Sequence, residues 1–136
     1  MPPIPSNDPV LTDIQANILK GHGRNFAHYI FLRIRDGETD AARYWVATFA
    51  AGTITSARKQ LDGTAVFKRG LKGDAGSIIT LSLSSTGFDK LGLGAYKPAG
   101  TAFRNGMRSR ADLLGDNPDG MEEPFTGIDL MIMVAD

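Results

Sequence analysis

Between His28 and Arg35 the apolar residues Ile30, Leu32 and Ile34 alternate with Phe31, Arg33 and Arg35. A period of two, followed by Asp36-Gly37, predicts a strand with one face on a core and then a turn. From Glu38 to Ala51 the period changes. Ala42, Trp45, Val46 and Phe49 make a helical stripe that Thr39 or Asp40 can start and Gly52 can end. Residues 53–74 predict a short helix and then a loop, because glycines and basic residues interrupt Ile54, Ala57, Leu61, Val66 and Phe67. Ser77 to Ser84 is a second strand, rich in β-branched residues, and Ser85-Thr86 opens a short helix with Phe88 and Leu91 one turn apart. A glycine- and proline-punctuated stretch from Ala95 to Gly127 leaves room for one helix over Phe103 to Leu114. Ile128 to Ala135 is apolar except for Asp129, the mark of a buried strand.

Upstream, Thr12-Asp13 predicts the cap of a short helix over Ile14 to Lys20, stopped by Gly21. Residues 1–11 form an extended arm, with Pro2, Pro3 and Pro5 favouring a polyproline conformation. An order of strand, helix, strand, helix, strand indicates α+β or α/β. Three strands make a small sheet, and the apolar last one wants neighbours on both faces. A partner is the expected remedy.

Composition narrows the function. The 136 residues suit one domain with one core, and the apolar fraction of 42% excludes wholesale disorder. Fifteen basic residues balance fifteen acidic ones, which argues against a nucleic-acid or anionic-membrane binder working by bulk electrostatics. Without cysteine there is no disulfide, no thiolate metal site and no cysteine nucleophile. No run approaches the roughly 18 apolar residues of a membrane helix, and the opening residues lack a signal-peptide block, so a cytoplasmic location is the expectation.

Few constellations carry chemistry. His22 and His28 lie on different elements; they read as a loop histidine and a strand-edge histidine, or as a pair open to a metal. Gly21-His22-Gly23-Arg24 looks like half of a phosphate loop without its third glycine, so anion binding stands there against a plain helix stop and turn. There is no nucleophile-elbow serine. Asp112, Asp116, Asp119, Glu122 and Glu123 read as a solvated acidic loop, and Arg104, Arg108 and Arg110 as its ion-pair partners or as an anion grip. The dispersed aromatics read as packing.

Three ordered stretches carry a family resemblance. Asp13-Ile14-Gln15-Ala16-Asn17-Ile18-Leu19-Lys20-Gly21 resembles the "DIQGNIL-K-G" opening of dye-decolourising (DyP-type) peroxidases, with Ala16 in place of a glycine. Ser84 to Leu93 is similar to their "T-x-x-G-L-x-x-L-G-L" segment. Phe103 to Arg110, Leu114-Gly115-Asp116 and Ile128 to Asp136 resemble their "F-x-x-G-M-x-x-R … L-G-D … D-x-x-x-x-x-A-x-D" region. The resemblance spans residues 12–136 and implies a ferredoxin-like α+β domain of the dimeric α+β barrel type. It covers the amino-terminal half only, without that half's last helix and strand.

The resemblance also implies a haem peroxidase family whose Gly-x-x-Asp-Gly motif and proximal histidine follow the matched region. Asp116-Asn117-Pro118-Asp119-Gly120 has Asp at the first glycine, so Asp119 takes no catalytic role. No catalytic or metal-binding residue is assigned. His22 and His28 remain weak haem-ligand candidates, and no cofactor is expected in this chain alone. The expected function is a structural or regulatory peroxidase-like subunit, completed as a homo-oligomer or by a separately encoded haem-bearing half, with no nucleic acid and no membrane as partner. The alternative is a haem peroxidase for bulky phenolic or dye substrates, its site assembled with a partner. A cofactor-free small-molecule pocket is a third reading.

Overall fold

The alternation at residues 28–35 and the apolar run at the carboxyl end meet in one sheet. The computed structural model describes residues 4–70, 76–120 and 122–136. Strand β1 is Ala27–Leu32, β2 is Ile78–Leu83 and β3 is Leu130–Ala135, in the order β1-β3-β2. Phe26 and Asp136 exchange both backbone hydrogen bonds, and the Ser84 N–H bonds the Asp129 carbonyl, so both pairings of β3 are antiparallel. The most apolar strand takes the centre, where both of its edges are paired. The helices are α1 (Val10–Asp13), α2 (Thr39–Gly52), α3 (Ala57–Lys68), α4 (Ser85–Lys90), α5 (Thr101–Asn105) and α6 (Ala111–Leu114). This is the ferredoxin-like α+β arrangement expected, with β1 at an open side.

Two compact units divide the chain. The first takes the chain up to Tyr29, Phe49–Leu81 and Ile132–Asp136. Its core is Ala16, Ile78, Met133 and Ala135, with Ala27 packed against them. Leu11 of α1 is buried as well. The amino-terminal arm is pinned to α3, because the Arg58 guanidinium donates to the Ser6 and Asp8 carbonyls.

The second unit takes Ile30–Thr48 and Ser82–Met131. Its centre is Asp129, whose side chain is 1% exposed. That carboxylate accepts the Ile34 N–H at 2.8 Å, the Thr86 hydroxyl at 2.9 Å and the Lys90 ammonium at 3.0 Å. Burying a charge costs several kcal/mol unless it is paired and hydrogen-bonded, and here it is both. Gly87 lies against the same residue: a Cβ there would overlap the Asp129 carbonyl oxygen. Ser84 caps α4 by accepting the Gly87 N–H at 3.0 Å. The Asp129 hydrogen bond holds the Lys90 ammonium protonated above its usual 10.5; partial burial opposes this, and the charges of Asp129 and Asp36 reinforce it.

Three expectations need correction. Residues 14–20 are not a helix: Ala16 and Ala57 pair with the carbonyls of Thr55 and Ile14, and Asn17 turns into the left-handed region at φ 68°. The reason is that Gln15 forms an antiparallel bridge with Ser56, which takes up the backbone groups a helix would need. The helical turn lies earlier, in α1, which shortens the arm; residues 1–3 fall outside the described residues. The helix over 103–114 breaks into α5, a 3₁₀ turn at Arg108–Arg110 and α6, because Gly106 takes φ 74°. The arginines do not pair with the acidic loop among the described residues; Arg104 donates to the Pro98 and Lys97 carbonyls instead. The helix read in 53–74 is α3, while 71–75, part of the loop expected after it, lie outside the described residues.

Candidate functional site

The sheet has two edges, and they are treated differently. Along β2, the Gln15 carboxamide donates to the Leu81 carbonyl and accepts the Leu81 N–H, both at 3.0 Å. Thr55 does the same for Ile79, donating its N–H at 2.9 Å and accepting at its hydroxyl at 3.0 Å. A primary amide has the donor and acceptor of a peptide group, so Gln15 fills the place of a neighbouring strand.

Along β1 nothing comparable occurs among the described residues, and β3 is its single neighbour. The Phe26–Asp136 pair sets the ladder, so the backbone groups of Ala27, Tyr29 and Phe31 point away from the sheet. The side chains are open too: Tyr29 is 53% exposed, Ile30 46% and Phe31 42%, on both faces of the strand. Phe31 meets one aromatic, Phe125, edge to face at 5.5 Å. Helix α2 carries the predicted stripe, yet none of its residues is buried. An apolar edge strand of this kind is a pairing surface.

His28 lies on β1 and is exposed. His22 lies elsewhere in the first unit, at a cavity of about 340 Å³. Lys20, Gly21, His22, Gly23, Arg24, Lys59, Gln60, Phe67 and Asp136 are among its lining residues, and His28 is not. The loop is tightly fixed. Gln60 accepts the Asn17 N–H and donates to the Lys20 and Gly21 carbonyls, and Asn17 in turn accepts the His22 N–H. The Arg24 N–H donates to His22 Nδ1 at 3.0 Å, so the neutral ring carries its proton on Nε2. Sequence reasoning quoted Gln15 and Asp129 only inside motifs, and gave Gln60 no place. No motif marks Gln60; for Gln15 the signal is its place in the motif between apolar Ile14 and Ala16.

A sequence comparison with curated proteins finds no significant match. The family comparison does: the DyP dimeric α+β barrel domain matches residues 13–135. The chain therefore belongs to the DyP family. It is similar to the DyP-type peroxidase of Anabaena sp., with 32% identity and a TM-score of 0.81, over 93% of this chain and 28% of that one. It is also similar to DyP2 from Amycolatopsis sp. ATCC 39116, with 26% identity and a TM-score of 0.82, over 93% and 27%. A decolorizing peroxidase from Auricularia auricula-judae shares the fold, with 22% identity and a TM-score of 0.68, over 90% and 26%. The chain thus spans between a quarter and three-tenths of the length of these peroxidases.

One matched peroxidase is described by its haem pocket. The residues around His22 do not suit that group. An axial histidine donates from its second ring nitrogen to a carbonyl or carboxylate. Here Nδ1 accepts instead, which leaves the proton on the nitrogen that would face iron. The lining is also cationic and glycine-rich, where a macrocycle needs apolar walls. Among the described residues no three His, Asp or Glu side chains are grouped to hold a metal ion, and no helix is long and apolar enough to cross a membrane.

Proposed function

We propose that this chain is the amino-terminal ferredoxin-like module of a DyP-type peroxidase assembly, with a structural or regulatory role and no haem site of its own. It is completed when a further strand pairs with β1. That strand comes from a second copy of the chain or from a haem-bearing half. The observation that carries this reading is the contrast between the sealed edge at β2 and the open, apolar edge at β1. Adding a strand there satisfies backbone groups and covers apolar surface in one step.

Size-exclusion chromatography with light scattering tests it. The expectation is a dimer at micromolar concentration, or conversion to a stable complex when a haem-bearing half is supplied. A well-folded monomer that stays monomeric with such a half would overturn the reading. The rival, a haem peroxidase with His22 or His28 as axial ligand, is weakened by the His22 hydrogen bond and by the exposure of His28. Haemin titration separates the two: a Soret band lost in His22→Ala or His28→Ala would favour the rival.

A further inference from the structure

The cavity beside His22 has a charge pattern that the pairing proposed at β1 does not use. Lys20, Arg24 and Lys59 line it, against one side-chain carboxylate, Asp136. That carboxylate accepts the Ser77 hydroxyl at 3.1 Å. Lys20 and Lys59 come from different elements, and neither forms an ion pair among the described residues. Arg24 is positioned before any ligand arrives. Its Nη2 donates to the Gly76 carbonyl at 2.6 Å and its backbone N–H is held by His22. Its Nε–H is buried and has no hydrogen-bond partner among the described residues. A buried guanidinium donor left unpaired costs about 1–3 kcal/mol.

The walls support the same ligand. Gly21 and Gly23 leave open space where a Cβ would stand, so an anion can approach the backbone there. With Nδ1 already accepting the Arg24 N–H, the His22 ring has an Nε2–H left to donate. Phe67, an exposed ring among the lining residues, offers an apolar face beside the cations. From this we infer that the cavity binds a compact phosphate monoester, its phosphate on Lys20, Arg24 and Lys59 and its organic group against Phe67. At about 340 Å³ the cavity is near the lower limit for small-molecule sites, which suits a ligand of that size.

Titration of the whole chain with phenyl phosphate, inorganic phosphate and phenol, followed by ¹⁵N NMR, tests this. Phenyl phosphate should bind saturably, move the Gly21, Gly23 and Arg24 amide signals, and weaken as salt rises. Phenol should not bind. Lys59→Gln, an exposed change that leaves the fold intact, should weaken binding about tenfold, equivalent to about 1.4 kcal/mol. Phe67→Ala should weaken phenyl phosphate and leave inorganic phosphate unchanged. Equal binding of inorganic phosphate and the ester would overturn the monoester assignment. So would shifts at these amides that Lys59→Gln does not alter, or no saturation up to about 10 mM, a free energy near −3 kcal/mol.

Discussion

The two outer strands of this sheet have the same length and opposite fates. At β2, Gln15 and Thr55 meet the outward backbone groups of Leu81 and Ile79 with four hydrogen bonds. At β1, Ala27, Tyr29 and Phe31 present theirs to solvent beside half-exposed aromatic rings. Both edges face the same physical problem, since unpaired strand edges invite other chains. One is closed by groups from its own chain, and the other stays open among the described residues. The contrast locates where a further strand can add: Ile79 and Leu81 have their outward backbone groups met, and β1 has β3 as its single neighbour among the described residues.

The largest expected effect comes from cutting the anchor just before the central strand. Asp129→Ala removes the acceptor for Ile34, Thr86 and Lys90 together, and stranding the buried Ile34 N–H along with the other two donors should cost about 3 kcal/mol. Urea denaturation should show that loss, and a drop under about 1 kcal/mol would show that Asp129 does not anchor β3. Next in size is the sealed edge. Gln15→Ala strands two Leu81 backbone groups and should cost about 1–3 kcal/mol. In amide exchange, the Ile79 and Leu81 signals of the natural chain should outlast those of Tyr29 and Phe31, and Gln15→Ala should erase the Leu81 advantage. Equal protection of the two edges would remove the contrast altogether.

Tyr29→Pro sharpens the comparison from the other side. The Tyr29 N–H faces outward, so proline deletes a donor that β3 does not use, at a cost to the fold of about 1 kcal/mol. Association should be lost while circular dichroism stays that of a folded chain; unchanged association would move the interface away from β1. The smallest effect is alkaline. The Lys90 pKa is raised in the fold, so its contribution is complete below 10.5 and is lost as pH climbs through the higher folded value. The melting-temperature difference between the natural chain and Lys90→Met should hold at neutral pH and shrink above about pH 10.5. A constant difference across that range would mean that Lys90 acts through packing.

Much of this fold was legible in the sequence, because its strands and longer helices announce themselves by period. The run from Ile128 and the stripe through Ala42 and Phe49 lie in β3 and α2 as expected, whereas the alternation at Ile30 and Leu32 gives a strand that ends before Ile34 and leaves Ile30 46% exposed instead of on a core. The segment after Asp13 was misread because Ile14, Ile18 and Leu19 have helical spacing, while the pull of Thr55 and Ser56 on its backbone comes from 40 residues away. The incomplete edge was legible as an apolar strand with too few neighbours. What the sequence hid were polar side chains acting at long range. Gln15 reaches Leu81 and Gln60 reaches Lys20, contacts that no local period encodes. The charge of the His22 cavity was invisible for a similar reason: Lys59 reaches it from α3, and Arg24 looked like the remnant of a motif.

The glutamine plug on β2 can be restated as a rule of growth. Units with two reactive ends polymerise, and units with one reactive end stop at two. With Gln15 and Thr55 on its far edge, a unit that pairs through β1 alone is monofunctional, and the proposed pairing would give a closed product. Gln15 and Thr55 together would thereby keep such an assembly from growing into a fibre.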